Sequence, residues 1–128
     1  MLRGAVLPKI TIVFYKEDDG TVPVIEWLAG LPTKARAKCR VKIERLAELG
    51  HELRRPEADL LREKIYELRI GLQGLNYRLL YFFHGNAVAV LSHGIMKERE
   101  VPPKEIDRAI ERKHKFEQAP EAHTYKET

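Results

Sequence analysis

The chain has 128 residues, 44% hydrophobic and 33% charged, with a formal net charge of +4, which suits one globular domain that buries roughly two thirds of its unfolded surface. A single cysteine, Cys39, excludes an intramolecular disulfide, and neither a secretion signal in MLRGAVLPKITIVFYKEDD nor an apolar run of membrane-spanning length is present. A cytoplasmic protein with no membrane attachment is expected, with Cys39 packed in an apolar stripe.

Taken in order, KITIVFYK at 9–16 is rich in β-branched and aromatic residues without polar alternation, the pattern of a strand covered on both faces. A turn follows over Glu17 to Gly20. Thr21 as N-cap and Pro23 in the first turn start a short helix through Glu26, Trp27 and Leu28 that stops at Gly30. Leu31, Pro32 and Thr33 signal a second start. Ala35, Cys39, Ile43, Leu46 and Leu49 then recur at three-to-four-residue steps until Gly50 closes the helix.

From Lys34 to Arg45 this helix carries six basic residues and one acid, Glu44. Lys34, Lys38 and Arg45 are therefore candidates for contact with a polyanion, and the same residues also read as a solvated helix face. HELRRPEADLLRE at 51–63 mixes charges of both signs around Pro56 and reads as a surface connection with Leu60 and Leu61 tucked beneath it.

Between Lys64 and Lys97 three strands are expected, joined by reversals at GLQGL (71–75) and at His84, Gly85 and Asn86, giving an antiparallel meander. After Met96 the chain turns helical, with Pro102 and Pro103 at the entry and Ile106, Ala109 and Ile110 as the apolar stripe. APEAHTYKET has little apolar surface to offset its ordering entropy. One domain over residues 1–118 and a flexible tail over 119–128 follow.

The three strands carry the chemistry. Side chains alternate faces, so Glu67 and Arg69 share one face and meet Arg78 on the next strand. Arginine's planar fork binds phosphate through paired N–H groups. Metal-free RNA cleavage needs a base for the 2′-hydroxyl proton, cations for the charge growing on phosphorus, and an acid for the leaving oxygen. Glu67 or His93 fits the base or acid, and Arg69, Arg78, Lys97 and Arg99 fit the cations. The plainer readings are a surface ion pair for Glu67 and a structural role for His93. Tyr66, Tyr77 and Tyr81 fit base stacking or half-buried packing, with Tyr81 taken as an RNA contact. The five histidines are scattered and neither a GxSxG nor a phosphate-loop motif occurs, so no metal or cofactor is expected.

Three segments, IYELRI with Tyr-Glu-Leu-Arg at 66–69, NYRLLYFF at 76–83, and VLSHGIMKE at 90–98 followed by Pro102 and a terminal helix, resemble the RelE/ParE toxin superfamily of type II toxin-antitoxin systems. The closest similarity is to its HigB-like, phage-derived branch, over roughly residues 9–116. The resemblance implies an α+β fold: a mostly antiparallel sheet of about four strands, with two N-terminal helices and one C-terminal helix packed on it. It implies a toxin that cuts messenger RNA on the ribosome without metal and is silenced, in a hetero-oligomer, by a helix-turn-helix antitoxin. By position, Arg69 and Arg78 match basic residues of the family's second and third strands, Lys97 and Arg99 its basic segment after the last strand, and His93 the branch's His-Gly pair. Where the branch often reads His-Gly-Phe and paired lysines, this chain has Ile95, Met96, Lys97 and Glu98, which lowers the local positive charge. Some relatives poison DNA gyrase and cleave nothing, and a decayed prophage protein that only binds nucleic acid or antitoxin is the third reading.

Overall fold

The structure, a computed structural model, describes residues 9–96 and 99–126. Along them run β1 (Thr11–Phe14), α1 (Pro23–Ala29), α2 (Thr33–Leu49), β2 (Ala58–Leu60), β3 (Tyr66–Leu72), β4 (Leu75–His84), β5 (Val88–Met96) and α3 (Pro103–Gln118), with single 3-10 turns at Gly50–Glu52 and Glu121–His123. The strands form one sheet in the order β1-β5-β4-β3-β2. The β3-β4-β5 meander is antiparallel, as its reversals require: Gln73 and Gly74 both take positive φ (52° and 82°), the two-residue hairpin geometry that matches strand twist.

Two features depart from the expected sheet of about four strands. The segment read as a surface connection contributes β2, whose three residues pair antiparallel with β3 (Ala58 with Leu68, Asp59 with Glu67, Leu60 with Tyr66). A strand of three residues is too short to show a period-two pattern. In addition, β1 runs parallel to β5, so the sheet is mixed and β1 is an edge. It is not covered on both faces: Thr11 is exposed and Ile12, Val13 and Phe14 are only partly buried.

Period-two alternation sorts the sheet into two cores. On one face Leu68, Ile70, Leu79, Tyr81 and Leu91 pack with Val24, Ala35, Cys39 and Leu46 of α1 and α2. On the other, Leu80, Phe82 and Val90 pack with Ile106, Ala109 and Phe116 of α3. Cys39 is fully buried and burial pushes its thiol pKa up to about 11, so it acts as a small core residue. Trp27 packs against the first core, and its indole lies so close to the β5 backbone that a Cβ at Gly94 would overlap it. This contact explains the glycine of the His-Gly pair.

A bulge separates the pairs Leu80 with His93 and Tyr81 with Leu91, leaving Ser92 as the extra residue. Without it, alternation would send His93 to the α1 and α2 side; with it, both Ser92 and His93 meet α3. Thr21 does not cap α1. Val22 holds that position, and Thr21 instead donates from N and Oγ1 to Asp19 Oδ1 (3.0 and 2.8 Å), closing the preceding loop.

The segment expected to be a flexible tail is docked as far as residue 126. Lys16 N donates to the His123 carbonyl (2.9 Å), Tyr125 N donates to the Phe14 carbonyl (3.0 Å), and the buried His123 ring stacks on Tyr15 at 5.0 Å. Backbone pairing along the open edge of β1 supplies the ordering contacts that the segment's composition does not.

Candidate functional site

The cluster begins with strand register. Arg69 on β3 stands directly opposite Arg78 on β4, and Glu67 opposite Leu80, all on the α3 face. Two arginines face to face repel. Glu67 lies between them and offsets this: its Oε2 accepts from Arg69 Nε (3.1 Å) and Nη2 (2.9 Å), and its Oε1 accepts from Arg78 Nη1. The Glu67 side chain is only 3% exposed, against 13% for Arg78 and 37% for Arg69. The acid is therefore the floor and Arg69 the rim. From β2, Asp59 accepts from Arg69 Nη2 (3.3 Å) and is paired with Arg55 Nε (2.9 Å).

Above the cluster a cleft of about 370 Å³ opens between β2, β3 and the start of α3, its polar wall made by Asp59, Arg62, Glu67, Arg69, Arg78 and Glu100. Its three arginines are matched by three carboxylates. Arg62 reaches away to Asp107 Oδ1 (2.5 Å). A guanidinium carries five N–H donors. Among the described residues Arg69 commits Nε and Nη2 and Arg78 commits Nη1, which leaves donors on both for a ligand oxygen.

The structure thus brings together Glu67, Arg69 and Arg78. His93 shares their face but lies under α3, 6% exposed, between Ser92 Oγ at Nδ1 (2.8 Å) and Glu105 Oε1 at Nε2 (3.0 Å). Burial, reinforced by the Arg112 charge and opposed by Glu105, pushes its pKa down to about 4. An unperturbed histidine titrates near 6.5, well above this value. The tautomer that satisfies both neighbours accepts from Ser92 and donates to Glu105. Arg112 closes the network, donating to Glu17 Oε2 (2.8 Å) and Ser92 Oγ (3.4 Å) with its guanidinium 5.6 Å from the Tyr15 ring centre.

Tyr81, expected to contact RNA, is a core residue. It is 1% exposed on the α1 and α2 face, stacked on Tyr66 at 5.4 Å, and burial raises its pKa. Lys97 lies outside the described residues, and Arg99 is exposed in the bend after β5. On α2, Lys34 is exposed, whereas Lys38 donates to the Gly71 carbonyl. Arg45 grips Glu57 bidentately (2.5 and 2.8 Å), with Lys42 adding a third contact at 3.0 Å. These contacts hold the Glu57 carboxyl down to about 2 and spend part of the basic face inside the molecule. Sequence reasoning missed Asp59, Glu105 and Arg112. Arg112 was visible in principle, because it continues the spacing of Ile106 and Ala109 that ends at Phe116, all four of them buried.

Among the described residues no three potential metal ligands cluster and no helix is long and apolar enough to cross a membrane. The arrangement is that of a small α+β protein with helices on both faces of a five-stranded mixed sheet and an open cleft in which a buried glutamate clamps two arginines. The chain belongs to the family described as Phage derived protein Gp49-like, a RelE-like family associated with toxin-antitoxin systems, whose profile matches residues 26–114. That span runs from α1 into α3. No curated protein matches the chain.

Proposed function

We propose that this protein is the toxin of a type II toxin-antitoxin pair, of the HigB-like kind, and that it cleaves messenger RNA on the ribosome under the control of a helix-turn-helix antitoxin. The observation that carries the reading is the pair Arg69 and Arg78, opposite each other on adjacent strands, aimed by one buried carboxylate and retaining N–H donors at the cleft. Such a pair fits the non-bridging oxygens of a phosphodiester, where charge grows during displacement. The RNA's own 2′-oxygen forms the new bond to phosphorus as the bond to the 5′-oxygen breaks, one proton leaving the 2′-hydroxyl and one reaching the departing oxygen. Glu67 serves as the counter-ion that orients the arginines, since both of its oxygens are occupied, and His93 as a neutral support for the β5 bulge. Proton transfer falls to groups outside this cluster, with Lys97 and Arg99 on the following segment adding positive charge. The exposed Lys34 on α2 supports contact with ribosomal RNA backbone.

A translation reaction with purified protein and a defined message tests this. Fragments ending in 2′,3′-cyclic phosphate, formed only when ribosomes are present, are expected; 3′-hydroxyl ends would sink the mechanism. A second reading, a toxin that inhibits a protein target such as DNA gyrase without cutting RNA, is favoured by the charge balance of the cleft, whose carboxylates match its arginines. Growth arrest that survives loss of both Arg69 and Arg78 in a folded variant would select it.

A further inference from the structure

Two cavities of about 530 and 490 Å³ meet around the ends of β2 and β3, sharing His51, Leu60 and Tyr66. Their floor is aromatic. The exposed His51 ring stacks on Phe83 with centroids 3.7 Å apart, and the half-buried Tyr66 packs edge-on to Phe83 at 5.2 Å. Their walls are basic. Arg55 and Lys113 are paired with Asp59 and Glu117, whereas Arg54 and Lys64 are exposed and make no ion pair with a described residue.

Lys64 is held there against its backbone preference. Glu63 and Lys64 both adopt positive φ (50° and 65°), in a reversal closed by Leu61 N to the Ile65 carbonyl (2.8 Å) and Ile65 N to the Arg62 carbonyl (3.0 Å). Glycine or asparagine takes this conformation readily and lysine does not. Two positive φ angles are what a tight reversal between paired strands requires, and this reversal, joining β2 to β3, sets Lys64 at the cavity wall. Leu60, 53% exposed, lines both cavities and also the cleft of Arg69 and Arg78, so groove and cleft are continuous across the β2 edge.

We propose that this groove binds single-stranded RNA, with a base against His51 and Tyr66 and the adjoining phosphate between Arg54 and Lys64. The proposal rests on the RNA-cleaving reading above and supplies its missing subsite for nucleotides flanking the cut, which reach the arginine cleft by passing over Leu60. Aromatic faces next to unpaired cations are the two elements of sequence-tolerant single-strand binding.

The test uses the full chain and a fluorescein-labelled 2′-O-methyl oligoribonucleotide, which cannot be cut by 2′-hydroxyl attack, with affinity read by anisotropy across salt concentrations. Arg54→Gln with Lys64→Gln is expected to weaken binding about tenfold or more and to lower the slope of log affinity against log salt by about 0.7, the loss of one neutralised phosphate on a single strand. Lys64→Gly is expected to raise the Tm, by relieving the positive φ, while weakening binding; a purely structural turn would gain stability and bind as before. Tyr66→Leu, which keeps an apolar plug, is expected to bind about tenfold more weakly through lost stacking. Wild-type affinity and salt slope in all three variants overturn the site, as does an acidic, phenylalanine-bearing peptide that binds the groove without displacing the oligonucleotide. If the variants lose oligonucleotide binding in a protein that cuts no message, the groove stands and the cleavage reading falls. If messages are cut and the variants bind and cut as wild type does, the groove falls alone.

Discussion

Replacing Arg78 by alanine removes the donor to Glu67 Oε1 and leaves a carboxylate that is 3% exposed with only Arg69 to answer it. Breaking a buried ion pair by deleting one partner costs about 3–5 kcal/mol when nothing compensates. Here Arg69 keeps two bonds to Oε2, and Arg78 is itself slightly open to water at 13%, so the loss should lie lower, at about 2–3 kcal/mol. With a urea m-value of about 1–3 kcal/mol per M, the midpoint should fall by about 0.7–3 M. Adding Glu67→Gln to Arg78→Met neutralises both sides, and this double variant should be more stable than the two single losses predict by about 1–3 kcal/mol. Urea titration followed by far-UV circular dichroism measures both quantities. An Arg78→Ala protein within about 0.5 kcal/mol of wild type, the scatter of ordinary surface changes, would refute the argument that Glu67 is a desolvated hub. Activity lost in this variant therefore counts as catalytic only once its fold has been verified.

Gly94→Ala should place a methyl group against the Trp27 indole and destabilise the protein by about 1–3 kcal/mol, checked by thermal melting; an unchanged Tm would mean Trp27 does not rest on β5. Because the His93 pKa is lowered in the fold, the unfolded chain binds the extra proton between pH 6.5 and about 4, so stability is whole above 6.5 and declines as pH falls through that window. His93→Gln should flatten that slope in urea midpoints measured against pH, and an undiminished slope would contradict the assignment. Glu57 works at lower pH: its depressed carboxyl stabilises the fold above 4.5 and loses that contribution as pH falls towards about 2. Arg45→Ala should reduce the loss, and an identical acid titration would argue against the Arg45 clamp.

Much of this architecture was legible in the sequence because it is periodic. The three-to-four-residue recurrence from Ala35 to Leu49 and the stop at Gly50 match α2, and the glycines at 74 and 85 mark the two reversals of the meander. The same alternation placed Glu67, Arg69 and Arg78 on one face. What escaped has other causes. The β2 strand is defined by its partner and not by its own three residues, and the docked tail is held by backbone bonds that composition does not encode. His93 reaches the α3 side only through the bulge at Ser92, a one-residue register change with no sequence period. Tyr81, an expected RNA contact, lies in the core, because strand tyrosines of either face look alike in sequence until the buried face is known.

The central claim is that the Arg69 and Arg78 pair acts on phosphate in translated RNA. Its most direct test is to induce the chain in cells and map messenger RNA ends genome-wide, beside an Arg69→Gln, Arg78→Lys variant shown by circular dichroism and urea titration to be folded. The account predicts new ends phased with codons in translated messages for wild type and their absence in the variant. Growth arrest without new RNA ends, or identical ends from both proteins, would contradict it.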